Sequence, residues 1–192
     1  MSKIIGITGG IGSGKSVVSR ILRCLDYYVY DCDIQAKIIM DNSDEIKNKL
    51  CEYISKEAVK NGNINRLLIS KIVFEDKNKL AKLNEIVHQS VLSDIKEKSA
   101  NYEYFFFETA ILYQSGFDKI CNSVWEVTAP LETRIKRVMD RNAFQRKQVI
   151  DRINSQSCTT NTPHKNVVQI LNDDLNPILP AILSLLKNIN NE

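Results

Sequence analysis

Residues 9–16 read Gly-Gly-Ile-Gly-Ser-Gly-Lys-Ser, and no other stretch limits the fold of this chain so tightly. The segment satisfies in full the pattern of a glycine, four free positions, Gly-Lys, and a serine or threonine. Four of the chain's seven glycines lie in it, so backbone freedom is concentrated at one turn. Glycines let the backbone curl until successive N–H groups face one point, which suits phosphate oxygens. A helix opening near Gly14 adds its positive dipole end. Lys15 supplies a point charge for the β- and γ-phosphates, and the Ser16 hydroxyl supplies a ligand for Mg²⁺. Gly9, Gly10, Ile11, Gly12, Ser13, Gly14, Lys15 and Ser16 are therefore the expected binding residues for ATP with Mg²⁺.

The context of the motif supports that function over a chance glycine-rich turn. Ile4-Ile5-Gly6-Ile7 before it is a short β-branched run that reads as a buried strand. Val17, Val18, Ile21, Leu22 and Leu25 after it recur at helical spacing. Guanine-binding enzymes carry Asn-Lys-x-Asp, which is absent, and transporter ATPases are longer and carry Leu-Ser-Gly-Gly, also absent. The motif alone does not establish a kinase, since motors share it too.

Farther on, Tyr27–Tyr30 reads as a second strand, expected beside the first, and it runs into Asp31-Cys32-Asp33. From Ile34 to about Ala100 glycine almost vanishes and apolar residues fall at helical intervals, with one clear turn at Asn61-Gly62-Asn63. The β pattern returns at Tyr104–Glu108, Ser123–Thr128 and Val167–Leu171. Pro130 is placed to open a helix over Leu131–Arg141, and Pro177–Ile189 predicts a closing helix. Strands alternating with helices imply α/β architecture: a five-stranded parallel sheet in three layers with helices on both faces. A chain of 192 residues can bury a sizeable core.

Charge narrows the partners. The formal net charge of +3 and the scarcity of aromatics among the basic residues argue against nucleic acid. No apolar run approaches the roughly 18 residues of a membrane span, so no membrane partner is expected. The five cysteines (Cys24, Cys32, Cys51, Cys121 and Cys158) form no CxxC pair, which reads as reduced thiols in a cytoplasmic protein.

In a parallel sheet, ligands gather beyond the carboxyl ends of the strands. Asp31 and Asp33 follow such an end, and an acceptor hydroxyl needs a carboxylate to orient it and take its proton. Asp33 could equally cap a helix at Ile34, and spacing leaves both roles open. Glu108 closes an apolar strand and could hold Mg²⁺ through water, or simply bind a helix N-terminus. Arg134, Arg137 and Arg141 share one helix face, with Arg146, Lys147 and Arg152 beyond them. Cations there could close over a triphosphate, or could simply be solvated.

Several segments together resemble the dephospho-CoA kinase family. They are Ile-Thr-Gly-Gly-Ile-Gly-Ser-Gly-Lys-Ser, Asp31-Cys32-Asp33-Ile34-x-Ala36-Lys37, Arg66-x-x-Leu-x-x-x-Val73-Phe74 and Leu83-x-x-Ile86-x-His88. Arg134-Ile135-x-Arg137-Val138-x-x-Arg141 and Arg152-Ile153-x-x-Gln156 complete the likeness, which runs nearly end to end. The resemblance implies ATP-dependent phosphorylation of the ribose 3′-hydroxyl of dephospho-CoA, the last step of coenzyme A synthesis. It implies Asp33 as catalytic base with Lys15 and Arg141, and Arg137 and Arg141 on ATP. Thr8, Asp33, Lys37, Arg66, His88 and Glu108 would then bind the acceptor. It also implies a nucleotide core of residues 1–33, 101–130 and 163–192, a helical acceptor domain at 34–100 and a lid at 131–162. No obligate protein partner is expected, and the chain is expected to act as a monomer. Lys37 stands where the family usually has Arg, Gln89 where it has Pro, Asn142 where it often has Asp, and Asn172-Asp173-Asp174 lacks a usual Gly. Two competing expectations are a nucleoside or nucleoside monophosphate kinase, and an ATP-binding regulatory module without transfer.

Overall fold

The computed structural model describes residues 2–156 and 164–190. Strand β1 (Lys3–Thr8) buries Ile5 and Ile7 on one face against Val18 and Leu22 of α1 (Lys15–Cys24). Its Gly6 faces the other way, where a Cβ would come within 2.9 Å of the Cys121 thiol. β2 (Val29–Asp31), β5 (Tyr104–Glu108), β6 (Ser123–Thr128) and β7 (Val167–Leu171) complete a five-stranded sheet in the order β2-β5-β1-β6-β7. β1 runs parallel to both β5 and β6, and β6 runs parallel to β7. Ile182 and Leu186 of α8 (Ile178–Asn190) join the same core as α1. Leu112 and a 3₁₀ turn at Phe117–Ile120 lie on the Gly6 side. This is the expected α/β fold.

The expectation that the second strand neighbours the first is corrected: β5 is interposed, and β2 is an edge strand. The reason lies in β5, whose Phe105, Phe106 and Phe107 are all fully buried. A strand apolar on both faces belongs inside a sheet, whereas the three-residue β2 tolerates an edge.

The chain divides into two compact units, Met1–Tyr30 with Tyr102–Glu192, and Asp31–Asn101. The second unit holds α2 (Cys32–Asn42), α3 (Asp44–Tyr53), β3 (Val59–Lys60), β4 (Asn63–Ile64), α4 (Arg66–Glu75) and α5 (Lys77–Ser99). Its separate core is built on Ile46, Leu50, Ile54, Ala58, Ile69 and Ile86. β3 and β4 form a small hairpin around Asn61 and Gly62, both at positive φ (51° and 77°), the Asn-Gly turn that a two-residue hairpin favours.

In the first unit, α6 (Leu131–Asn142) and α7 (Arg146–Gln156) share a small apolar core of Ile135, Val138, Val149 and Ile153, against which Ile11 packs. Residues 157–162 of the expected lid and residue 163 of the expected core lie outside the described residues. So does Cys158, while Cys24, Cys32, Cys51 and Cys121 are free thiols.

Candidate active site

The glycine-rich segment carries the chain from the end of β1 into α1. Gly14 adopts the left-handed conformation at the helix N-cap (φ 96°), and no side chain caps α1 there. No acidic residue lies in its first turn either, so the positive end of the helix dipole is uncompensated. A Cβ on Gly14 would collide with the Asn172 carboxamide, and one on Gly12 would lie 2.6 Å from the Arg134 carbonyl. Lys15 curls back over the loop, its Nζ donating to Gly9 O at 2.8 Å. Ser13 is buried, and its hydroxyl has no partner among the described residues, while Ser16 is exposed.

Two arginines of α6 hold the loop from outside. Arg134 Nε donates to Ile11 O at 2.9 Å, and burial lowers the pKa of its guanidinium. Arg137 Nη1 donates to Gly12 O and Ser13 O, each at 3.2 Å. From α7, Gln156 Oε1 accepts the Ile11 amide at 2.7 Å. Arg141 differs: it is exposed, and among the described residues its one hydrogen bond is from Nε to Asn142 at 2.9 Å. Arg146 forms a two-pronged pair with Glu132, and Arg152 stacks over the Phe144 ring. Arg141 and Lys147 are both exposed, as an expected mobile cation would be.

Thr8 and Glu108 are placed by strand register. Glu108 pairs with Ile7 across β5 and β1, one residue before the buried Thr8, and its side chain is half-buried. Both stand at carboxyl ends of adjacent central strands, where an α/β sheet presents its ligands.

In the second unit, α2 begins at Cys32 and its cap is Asp31, which accepts the Ile34 amide at 3.0 Å. Asp33 lies within the first turn and is exposed, as is Lys37 one turn later on the same face. The alternative in which Asp33 caps the helix is thereby corrected. Arg66 is held by both oxygens of Asp41 at 2.9 and 3.1 Å, and the hydrogen bond from Arg66 keeps the Asp41 carboxyl below its ordinary pKa. His88 is half-buried on α5, and burial lowers its pKa, so the imidazole is neutral near pH 7.

Comparison with known proteins supplies the family. A family model described as dephospho-CoA kinase matches residues 3–176. The dephospho-CoA kinase of Bacteroides fragilis (strain YCH46) is 34% identical over 185 residues, covering 95% of this chain and 90% of that protein. That of Fusobacterium nucleatum is 38% identical over 156 residues, 80% of each chain. The chain belongs to the dephospho-CoA kinase family. Among solved structures, TT1252 from Thermus thermophilus superposes with a TM-score of 0.77 at 30% identity, over 99% of this chain and 97% of that one. A dephospho-CoA kinase moves a phosphoryl group from ATP to an alcohol group of dephospho-CoA, which is the reaction class of this chain. Among the described residues, no helix is long and apolar enough to cross a membrane. The sequence did not reveal that Asn172 donates to Ser13 O of the loop, or that Asp174 pairs with Arg137. Asn172 and Arg137 were separable only through contacts more than 30 residues apart.

Proposed function

We propose that ATP binds on Gly9–Ser16 and that Asp33 accepts the proton of the ribose 3′-hydroxyl of dephospho-CoA. As the O–H bond breaks toward the Asp33 carboxylate, the 3′-oxygen bonds to the γ-phosphorus. The bond from that phosphorus to the bridging oxygen breaks, and its electron pair leaves on ADP. Lys15 and Arg141 carry charge that developing negative oxygens need, and the uncapped end of α1 adds to it. One observation carries the assignment of the base: Asp31 is the helix cap, so capping does not occupy the Asp33 carboxylate.

The donor set also fits Mg²⁺. Ser16 offers a hydroxyl and Glu108 a carboxylate, and hard oxygen donors in small number suit an ion that keeps waters and phosphate oxygens as its other ligands. Bound there, Mg²⁺ would neutralise charge on the β- and γ-phosphates. Thr8, Lys37, Arg66 and His88 are read as acceptor contacts, with Arg66 oriented by Asp41 and the neutral His88 suited to hydrogen bonding. Lys37 keeps a charge but lacks the forked grip of arginine on phosphate. Helices α6 and α7 are read as the lid. The free thiols of Cys24, Cys32, Cys51 and Cys121 support the cytoplasm as the chain's location.

The test is ADP release with Mg²⁺ and ATP against dephospho-CoA, nucleosides and nucleoside monophosphates in parallel. Turnover confined to dephospho-CoA, with CoA as product, is the expected result. Faster turnover of a nucleoside monophosphate would overturn the assignment of the acceptor. Tight ATP binding with no turnover of any acceptor would instead indicate a regulatory module.

A further inference from the structure

Asn172 lies just beyond the end of β7 and is buried, with 8% of its surface exposed. Its Nδ2 donates to Ser13 O at 3.0 Å, and its own backbone N–H is tied to Thr128 O at 2.8 Å. Arg137 Nη1 reaches the same Ser13 carbonyl, while Arg137 Nη2 donates to Asn172 O at 3.0 Å and to Asp174 Oδ1. The Nη1 and Nη2 ends of this guanidinium are thus engaged inside the protein. Asp174 has φ of 64°, a left-handed conformation that costs a residue with a side chain and costs glycine nothing. A carboxylate standing in that conformation needs a compensating contact, and the Arg137 pair supplies one.

A trans peptide is planar, so the carbonyl of one residue and the N–H of the next point in opposite directions. Two donors on Ser13 O therefore fix the Gly14 N–H to the far side of the peptide. Arg134 on Ile11 O fixes the Gly12 N–H in the same manner. The phosphate-facing geometry of a glycine-rich segment is imposed from behind by these donors, because glycines do not hold it themselves.

We propose that Asn172 is a positioning residue for ATP, orienting the Ser13–Gly14 peptide together with Arg137, and that Asp174 braces Arg137 in that act. The proposal rests on the assignment of ATP to Gly9–Ser16. It makes Arg137 a strut of the loop and leaves Arg141 as the phosphate-seeking cation.

The experiment compares Asn172→Asp and Asp174→Gly with the parent enzyme, measuring kcat, KM for ATP, KM for dephospho-CoA and Tm. Asn172→Asp keeps the shape and replaces the donor with an oxygen facing Ser13 O. It should raise KM for ATP about fivefold or more, the weight of one buried hydrogen bond, and leave KM for dephospho-CoA within about twofold. Asp174→Gly relieves the left-handed backbone and removes only the brace. It should leave Tm nearly unchanged and still raise KM for ATP, a pairing that a purely structural role cannot give. An unchanged KM for ATP in Asp174→Gly, or equal rises for both substrates in the two variants, would overturn the proposal. If Asn172→Asp does not fold, Asp174→Gly decides alone. Lys15→Ala run beside them separates the two levels: normal turnover in Lys15→Ala would remove the ATP site itself, whereas lost turnover there with normal Asp174→Gly kinetics would remove only the positioning role.

Discussion

Asp31 Oδ1 accepts the amide proton of Ile34 at 3.0 Å, so the carboxylate that caps α2 stands two residues before the one proposed as base. Capping and proton transfer are thereby assigned to different side chains and can be tested apart. Asp33→Asn should lower kcat by roughly 10²–10⁴-fold, the usual weight of general base catalysis. ATP affinity should persist, because the loop and not this carboxylate holds the phosphates. Asp31→Asn should leave turnover and stability nearly unchanged, since Asn caps about as well as Asp, whereas Asp31→Ala should cost about 1 kcal/mol of stability. Full turnover in Asp33→Asn would end its role as base.

Lys15→Ala should lower kcat by roughly 10²–10³-fold through loss of a charge directed at the transferred group. The Nζ–Gly9 O bond is lost, but Arg134, Arg137 and Asn172 still hold the loop, so its backbone should keep its path and Tm should change little. Stopped-flow or steady-state ADP release, read beside thermal melts, checks both statements. Near-normal turnover would move the phosphate site elsewhere.

Arg137 and Arg141 sit one turn apart on α6, yet opposite outcomes are expected from their loss. Arg141 is exposed and, among the described residues, bonded only to its neighbour Asn142, so Arg141→Ala should cost about 10²-fold in kcat with Tm intact. Arg137→Ala strands the Gly12 carbonyl and weakens the hold on Ser13, which should lower Tm by about 4 °C or more. A melting collapse in Arg141→Ala with normal specific activity would reverse the two roles.

Cys121 offers a pH test independent of the site. Burial pushes its thiol from an ordinary 9.0 up to about 12. An acid whose folded pKa lies above its unfolded value contributes stability that is whole below the unfolded value and is lost as pH climbs toward the folded one. Stability should therefore fall from about pH 9 upward, by at most about 4 kcal/mol near pH 12. Cys121→Ala should flatten that alkaline limb while costing some stability at pH 7 from the lost packing against Gly6. An unchanged alkaline slope in the variant would show that the thiol does not ionise on unfolding there.

Local features of the chain were legible because they are local. The loop, the strands around it and the helical run after Ile34 are written in glycine spacing and in period, and each is present, although the second strand begins at Val29 and not at Tyr27. Sheet order was not legible, since β2 and β1 are separated by a strand that enters the sequence some 70 residues later. The helix start at Cys32 was also missed by two residues, which moved the cap from Asp33 to Asp31. Nor could spacing reveal that Arg137 turns its guanidinium to Ser13 and Asn172. A cation on a polar helix face looks the same whether it meets solvent or a carbonyl brought in from residue 13. The Asn61-Gly62 turn was visible, but the hairpin it closes was hidden by strands of only two residues each.

The polypeptide leaves the sheet unit after Tyr30 and re-enters it at Tyr102, and the Tyr28 and Tyr102 rings stack at 4.5 Å. Departure and return thus occur at one spot, beside the neighbouring strands β2 and β5. On the function proposed above, this arrangement works as a cassette: one uninterrupted stretch of codons specifies the acceptor domain, and the flanking stretches specify the machinery for ATP. Recombination within that stretch can change what is phosphorylated and leave intact the part that does the phosphorylating.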